Sequence, residues 1–285
     1  MTVFWSGLAI GAIYALVATG YNIVFIAQKT FNFAQAALMM LGTFIVYLAM
    51  VTFELPWWIA AIAATVVVAA IAAVQERVSI RPVKDAHNLL VTTLGVSIIL
   101  QGVAQLIWGG EPHGMPFFGG DTVLDFFGAR VYPVELAIIA VTILIVLGLV
   151  IFSQRSLLGI TLLGMSEDSV AATLRGVNVR RFAFFAFVFS GALAGALAIF
   201  VGPKTYAVAT LGAALAIKGF VVLAIGGFGS IPGVLVGGAV VGLTESLVSR
   251  YVGADFASIS VFLILILILM IKPTGLFARR VERTV

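Results

Sequence analysis

No cysteine occurs in the 285 residues of this chain, so neither a disulfide framework nor a thiolate metal site can form. Histidine is nearly as scarce, with only His87 and His113. Both read as residues of polar connecting segments, where a lone imidazole without a second ligand makes no metal site; an HExxH pair and a Ser-His-acid set are both missing. There is no GxxxxGK[ST] phosphate loop, and no nucleophile and base fall at one depth as an intramembrane enzyme would require. Catalysis by the chain itself is therefore not expected. Charge is the last scarcity: Asp, Glu, Lys and Arg make up 10% of the residues, against about 25% in an ordinary soluble domain.

What fills the chain instead is apolar. Hydrophobic residues account for 62%, and the mean hydropathy is +1.20, which describes an all-α polytopic protein embedded in a lipid bilayer. The net charge of +4 does not point to nucleic acid, because the basic residues gather in a few connecting segments, as the positive-inside rule produces. The opening MTVFWSGLAIG has no basic n-region and runs on into a long apolar stretch, so the first segment is expected to remain in the mature protein.

Runs near the length of a bilayer-spanning helix follow in order: 3–27, 31–53, 57–75, 89–108, 135–152 and 182–201. In the first, Gly7 and Gly11 with Ala15 form a small-residue stripe for close helix approach. In the second, Asn32 and Gln35 share a face at i and i+3 near one end, either lining a permeation path or tying the helix to a neighbour. Trp57 and Trp58 read as interfacial anchors. The fourth run carries Thr93, Ser97 and Gln101 at i, i+4 spacing, a polar stripe that should face other helices. Residues 109–133 show little regular pattern and an acidic lean. Arg77, Arg81 and Lys84 form one basic cluster, Arg155, Arg175, Arg180 and Arg181 a second, and Lys272, Arg279, Arg280 and Arg283 a third; all should face the cytoplasm.

The polar island 154–181 interrupts this pattern. Ser166 is placed to cap a helix of about nine residues, with Glu167 and Asp168 at the positive end of its dipole and Gly176 as a left-handed stop. Val170, Leu174 and Val177 fall on one face, so the helix is built to dock, or else to rest on lipid headgroups. Beyond the sixth run, glycines crowd a break at Ile231-Pro232, between arms expected over 206–225 and 232–249; a last span covers 258–271. Such a break is tolerated in a membrane only where protein or water satisfies the freed backbone groups. The arms as full spans make nine crossings, and one partly re-entrant arm makes eight. Lys218 and Glu245 lie inside these arms, where burying Lys alone costs about 2.5 to 3.5 kcal/mol, so each needs a partner; Lys218 is also a candidate for a substrate carboxylate.

Three stretches together resemble the branched-chain amino acid permeases of ABC importers, and the resemblance covers nearly the whole chain. Glu167 with Ala171-Ala172 and Gly176 looks like the Glu-Ala-Ala loop that seats in the nucleotide-binding subunit. GLAIGAIYALVATGYNIVF with FNFAQAALMMLG, and KGFVVLAIGGFGSIPGVLVGGAVVGLTES with its GGxGSxxGxxxG core, narrow the match. Where relatives commonly read Asn-Phe-Ala-His-Gly-Glu, this chain has Asn32-Phe33-Ala34-Gln35-Ala36-Ala37. The resemblance implies a single permease domain over 1–285 in a bacterial inner membrane. It also implies a second permease subunit, two ATP-binding cassette subunits that hold the ATP, and an extracytoplasmic solute-binding protein. On this view Asn32, Gln35, Thr93, Ser97, Gln101 and Lys218 are candidates for the substrate path. Glu167, Ala171, Ala172, Arg175 and Gly176 are candidates for ATPase coupling, with no metal and no cofactor on this chain. The rival reading is a self-sufficient carrier or channel for a small polar solute.

Overall fold

A computed structural model describes residues 1–83, 85–126 and 128–277, and the backbone alone at Ala86 and His87. Lys84, Arg279, Arg280, Arg283 and the side chain of His87 lie outside the described residues. The helices are α1 (Thr2–Gln28), α2 (Gln35–Tyr47), α3 (Trp57–Gln75), α4 (Ala86–Trp108), α5 (Pro133–Arg155), α6 (Leu157–Glu167), α7 (Ser169–Leu174), α8 (Val179–Thr205), α9 (Leu211–Gly226), α10 (Gly233–Tyr251) and α11 (Ala254–Ile271). α2 and α3 each run on into a π-helical turn, Leu48–Thr52 and Glu76–Ile80. Among the described residues, eight helices are long and apolar enough to cross a membrane. α9, with 16 residues, is not one of them. At about 1.5 Å per residue it reaches about 24 Å, short of a hydrocarbon core of about 30 Å. The protein is thus an all-α multi-pass membrane protein.

α1 is the axis of the bundle. It is buried along most of its length and packs against α5, α8, α9 and α10. Its small-residue stripe works as expected: a Cβ added at Gly11 would lie 2.2 Å from the carbonyl oxygen of Gly238, and one at Gly242 would lie 2.3 Å from that of Gly7. Only glycine lets these two backbones meet. The outer helices behave differently. Val66 on α3, Ile98 on α4, Leu144 on α5 and Leu267 on α11 all stand exposed, the surface expected for lipid or for partner helices.

Several local expectations are corrected. α2 does not begin at residue 31: the Asn32 side chain accepts from the Ala34 amide at 3.2 Å and its carbonyl accepts from Gln35 at 3.0 Å, so a side-chain turn delays the helix by four residues. Residues 109–133 are not patternless, since β1 (Leu124–Phe126) pairs antiparallel with β2 (Ala129–Val131), and Phe126 meets Trp5 at 5.2 Å between ring centroids. Three-residue strands carry too little alternation to stand out in a sequence. His87 falls in the first turn of α4 instead of a loop. The glycine-rich break is a tight turn over 227–232, and its freed groups are satisfied by protein: Gly229 N–H donates to Asn22 at 2.9 Å, Gly233 N–H to Ser230 at 3.1 Å, and the amides of Leu276 and Phe277 donate to Ile225 and Gly226.

These contacts define two ends of the bundle. The hairpin end gathers Ser6, Trp57, the β-strands, Lys204 and His113, which bridges to Ala207. The opposite end gathers the close of α1, the start of α2, the 227–232 turn, α6 and α7.

Candidate functional site

Three groups of polar residues stand out against the apolar bundle. In the first, Lys218 on α9 pairs with Glu245 on α10, and the Tyr14 hydroxyl on α1 donates to the other oxygen of that carboxylate at 2.9 Å. Lys218 also donates to the Tyr14 oxygen at 3.1 Å, so three helices close one ring of contacts. Counting from arms at 206–225 and 232–249 puts the two charges at different depths. The structure starts α9 at Leu211 and carries α10 on to Tyr251, and the long lysine side chain spans the offset that remains. Lys218 therefore has its carboxylate within the chain.

The second group joins α1, α2, α3 and α8 near the opposite end. Asn32 and Gln35 are both buried. Gln75 donates to Asn32 Oδ1 at 2.7 Å, Gln35 donates to the carbonyl of Ser190 at 3.0 Å, and Ser190 in turn donates to the carbonyl of Gly20 at 3.0 Å. Their geometry is that of helix-to-helix ties. The α4 stripe is likewise turned inward: Thr93 and Ser97 are buried, and Gln101 donates to the Ser97 hydroxyl at 3.0 Å while its stem lies beside Gly212 of α9. No hydrogen bond among the described residues joins the two sets of path candidates, although Gln101 and Ala37 of α2 both pack on Gly212.

The third group is the polar island, which holds two helices where one is expected. α6 takes up Ser166 and ends at Glu167; Asp168, not Ser166, caps the second helix, accepting from the amides of Val170 and Ala171 at 2.9 Å. α7 has six residues, not about nine, because Asp168 competes for the first turn and Gly176, at φ +85°, stops the last. Ala171 and Ala172 are half-buried, whereas Glu167, Arg175 and Gly176 are exposed. Val170 and Leu174 stand 68% and 84% exposed, so no described residue covers them.

Sequence reasoning missed two further anchors. Lys204 on α8 donates to Glu135 on α5 at 2.5 Å and approaches Ser6 on α1 at 3.5 Å. Opposite charges just inside two span ends on the same side were the available signal. Asn22 went unremarked because only the fold brings it under the 227–232 turn. Among the described residues no cluster of three metal-ligating side chains occurs.

The family model for the branched-chain amino acid transport system permease component matches residues 3–272. The high-affinity branched-chain amino acid transport system permease protein LivH of Escherichia coli K12 is 32% identical over 291 residues, covering 96% of this chain and 94% of that protein. BraD of Pseudomonas aeruginosa, described in the same words, is 31% identical with the same coverage. Of solved structures, the PsaBC complex of Streptococcus pneumoniae with a Fab shares the fold at a TM-score of 0.50 and 18% identity, over 95% of this chain and 91% of that one. A glycine seam, a satisfied 227–232 turn and a match over nearly the whole chain agree: the chain belongs to the branched-chain amino acid transport permease family.

Proposed function

We propose that this chain is one permease half of an ABC importer in the bacterial inner membrane, moving branched-chain or similar small amino acids. The family match over residues 3–272 carries the reading, and the relatives' printed substrate supplies the solute class. In this reading α7 seats on one of two ATP-binding cassette subunits, which hold the ATP, and the hairpin end receives the solute-binding protein. A second permease subunit covers part of the exposed face of the outer helices, and the single domain spans the whole chain. Arg77, Arg81, Arg155, Arg175, Arg180 and Arg181 supply the positive-inside bias that turns the α6–α7 end to the cytoplasm.

Reconstitution tests the activity. Leucine uptake into liposomes should require ATP and the cassette subunits, and uptake that persists without them would instead indicate a self-sufficient carrier. Sidedness has its own test, since the chain has no native cysteine. In intact cells an impermeant thiol reagent should label Thr122→Cys, on the hairpin end, and leave Ser169→Cys, in α7, untouched; the reverse pattern overturns the orientation.

A further inference from the structure

A cleft of about 650 Å³ opens between α1, α10 and α11 at the hairpin end of the bundle. Its polar lining includes Glu245, Ser249, Arg250 and Ser258, and its apolar lining includes Ile10 and Ala257. Glu245 sits at its inner part, half-buried and held by Lys218 and Tyr14. Arg250 stands exposed nearer the end of α10, with no hydrogen bond or ion pair to any described residue. Asp255, on the first turn of α11, is as near in sequence as Glu245, and it neither lines the cleft nor pairs with Arg250. The cleft therefore offers a fixed carboxylate, an uncommitted guanidinium, two free hydroxyls and an apolar wall.

We infer that this cleft binds the zwitterionic head of a free α-amino acid, its ammonium on Glu245 and its carboxylate on Arg250, with the side chain against Ile10 and Ala257. The inference rests on the proposed transport function and adds the place where the permease itself holds its solute. Both charged groups line the one cleft, and Arg250 lies about 7.5 Å further along the axis of α10 than Glu245, so a ligand carrying both charges can meet them from within it. Each oxygen of Glu245 already accepts one bond from the chain and keeps a further lone pair for an ammonium. Lys218 and Tyr14 hold that carboxylate in place, so the acid need not be desolvated when the solute arrives. Volume permits it too, since pockets of about 300 to 1,000 Å³ take small molecules. A phosphatidylethanolamine headgroup shares the same pairing of ammonium with anion, so the test separates the two.

The assembly of this chain with its partner permease and cassette subunits, without the binding protein, is placed in phosphatidylcholine nanodiscs and titrated with radiolabelled L-leucine. Arg250→Gln should weaken leucine binding about tenfold or more, and Arg250→Lys should restore part of it. In the wild-type assembly, 4-methylpentanoate, which lacks the ammonium, and 3-methylbutylamine, which lacks the carboxylate, should each compete about tenfold less well than leucine. Equal leucine affinity in wild type and Arg250→Gln, or no leucine binding by the wild type, overturns the site. Phosphatidylethanolamine retained by wild type and lost from Arg250→Gln in native mass spectrometry, with leucine affinity unchanged, makes the cleft a lipid site and also overturns it. ATP-driven leucine uptake by the wild-type assembly, reconstituted in liposomes with its binding protein, is measured alongside: its absence refutes the proposed function, whereas normal uptake with unaltered Arg250→Gln binding refutes the cleft alone.

Discussion

The α1–α10 seam and the α6–α7 hairpin are built on opposite terms. Along the seam, glycine backbones touch, and Lys218, Glu245 and Tyr14 complete one another's hydrogen bonds within the chain. At α7 the backbone is capped and stopped just as deliberately, yet Val170 and Leu174 face outward with none of the described residues on them. A region whose backbones and charges meet one another internally sets the fold. One whose backbone is satisfied while its apolar face is left open is shaped for something outside the chain. The contrast predicts different kinds of failure. Seam substitutions should cost stability of the chain itself, and α7 substitutions should spare the chain while disrupting its assembly.

The largest effect is expected at the Lys218–Glu245 ion pair. Lys218→Met leaves Glu245 as an uncompensated charge with only the Tyr14 hydroxyl, a loss of about 3 kcal/mol, the low end of the cost of breaking a buried pair because both groups are only half-buried. Combining it with Glu245→Gln should recover much of that loss, because the orphaned charge is gone. Thermal unfolding of the detergent-purified protein reads both. A double variant no more stable than Lys218→Met would show that the pair is not the coupled unit described.

Next comes the glycine contact. Gly242→Ala would set its methyl 2.3 Å from the Gly7 carbonyl oxygen and 2.4 Å from the Gly11 backbone, and neither is a side chain that can swing aside. The helices must separate, at a cost of about 1 to 3 kcal/mol. The same melting measurement with Gly148→Ala, where an added methyl meets nothing within 4 Å, supplies the contrast. Equal melting of the two variants would remove the seam from the account.

How much of this was legible follows the same division. The spans could be read because twenty apolar residues leave few alternatives, and α3 is found over the very range expected, Trp57–Gln75. The seam could be read because four-residue glycine spacing has one common use in a membrane. The Lys218–Glu245 pairing could be suspected from cost but not located, because a sequence does not show how far a lysine side chain reaches across to the next helix, and residues 206–210 read as helix by hydropathy while bridging to His113 and turning. Asn32 and Gln35 looked like neighbours on one helix face. They prove to reach different partners because a turn at Asn32 places only Gln35 on the helix. α6 stayed hidden because LLGITLLG is neither long enough for a span nor polar enough for a loop. The cleft beside Arg250 is formed by α1 and α11, which lie at opposite ends of the chain, and no local pattern announces it.

The smallest effect on the chain, and the most telling one, is expected at the α7 hairpin. Gly176 takes φ +85°, so Gly176→Val places a β-branched residue in a left-handed conformation at about 1 to 2 kcal/mol, with open space around it. Ala172→Arg asks less of the fold, since residue 172 is only half-buried on a helix whose other face is open, and a surface change of this kind is usually worth under about 0.5 kcal/mol. Melting should thus shift modestly for the first variant and hardly for the second. Assembly should respond in the other order. Residue 172 lies on the side of α7 away from Val170 and Leu174, so the long arginine side chain must swing out from under the short helix and bring bulk and a charge to its edge, and a docked partner must either move away or bury that charge unpaired. Ala172→Arg should insert and melt like wild type, fail to co-purify with the cassette subunits, and lose substrate-stimulated ATP hydrolysis in liposomes. If it retains both, α7 rests on the membrane surface instead of a partner, and the open face at Val170 and Leu174 is explained by lipid.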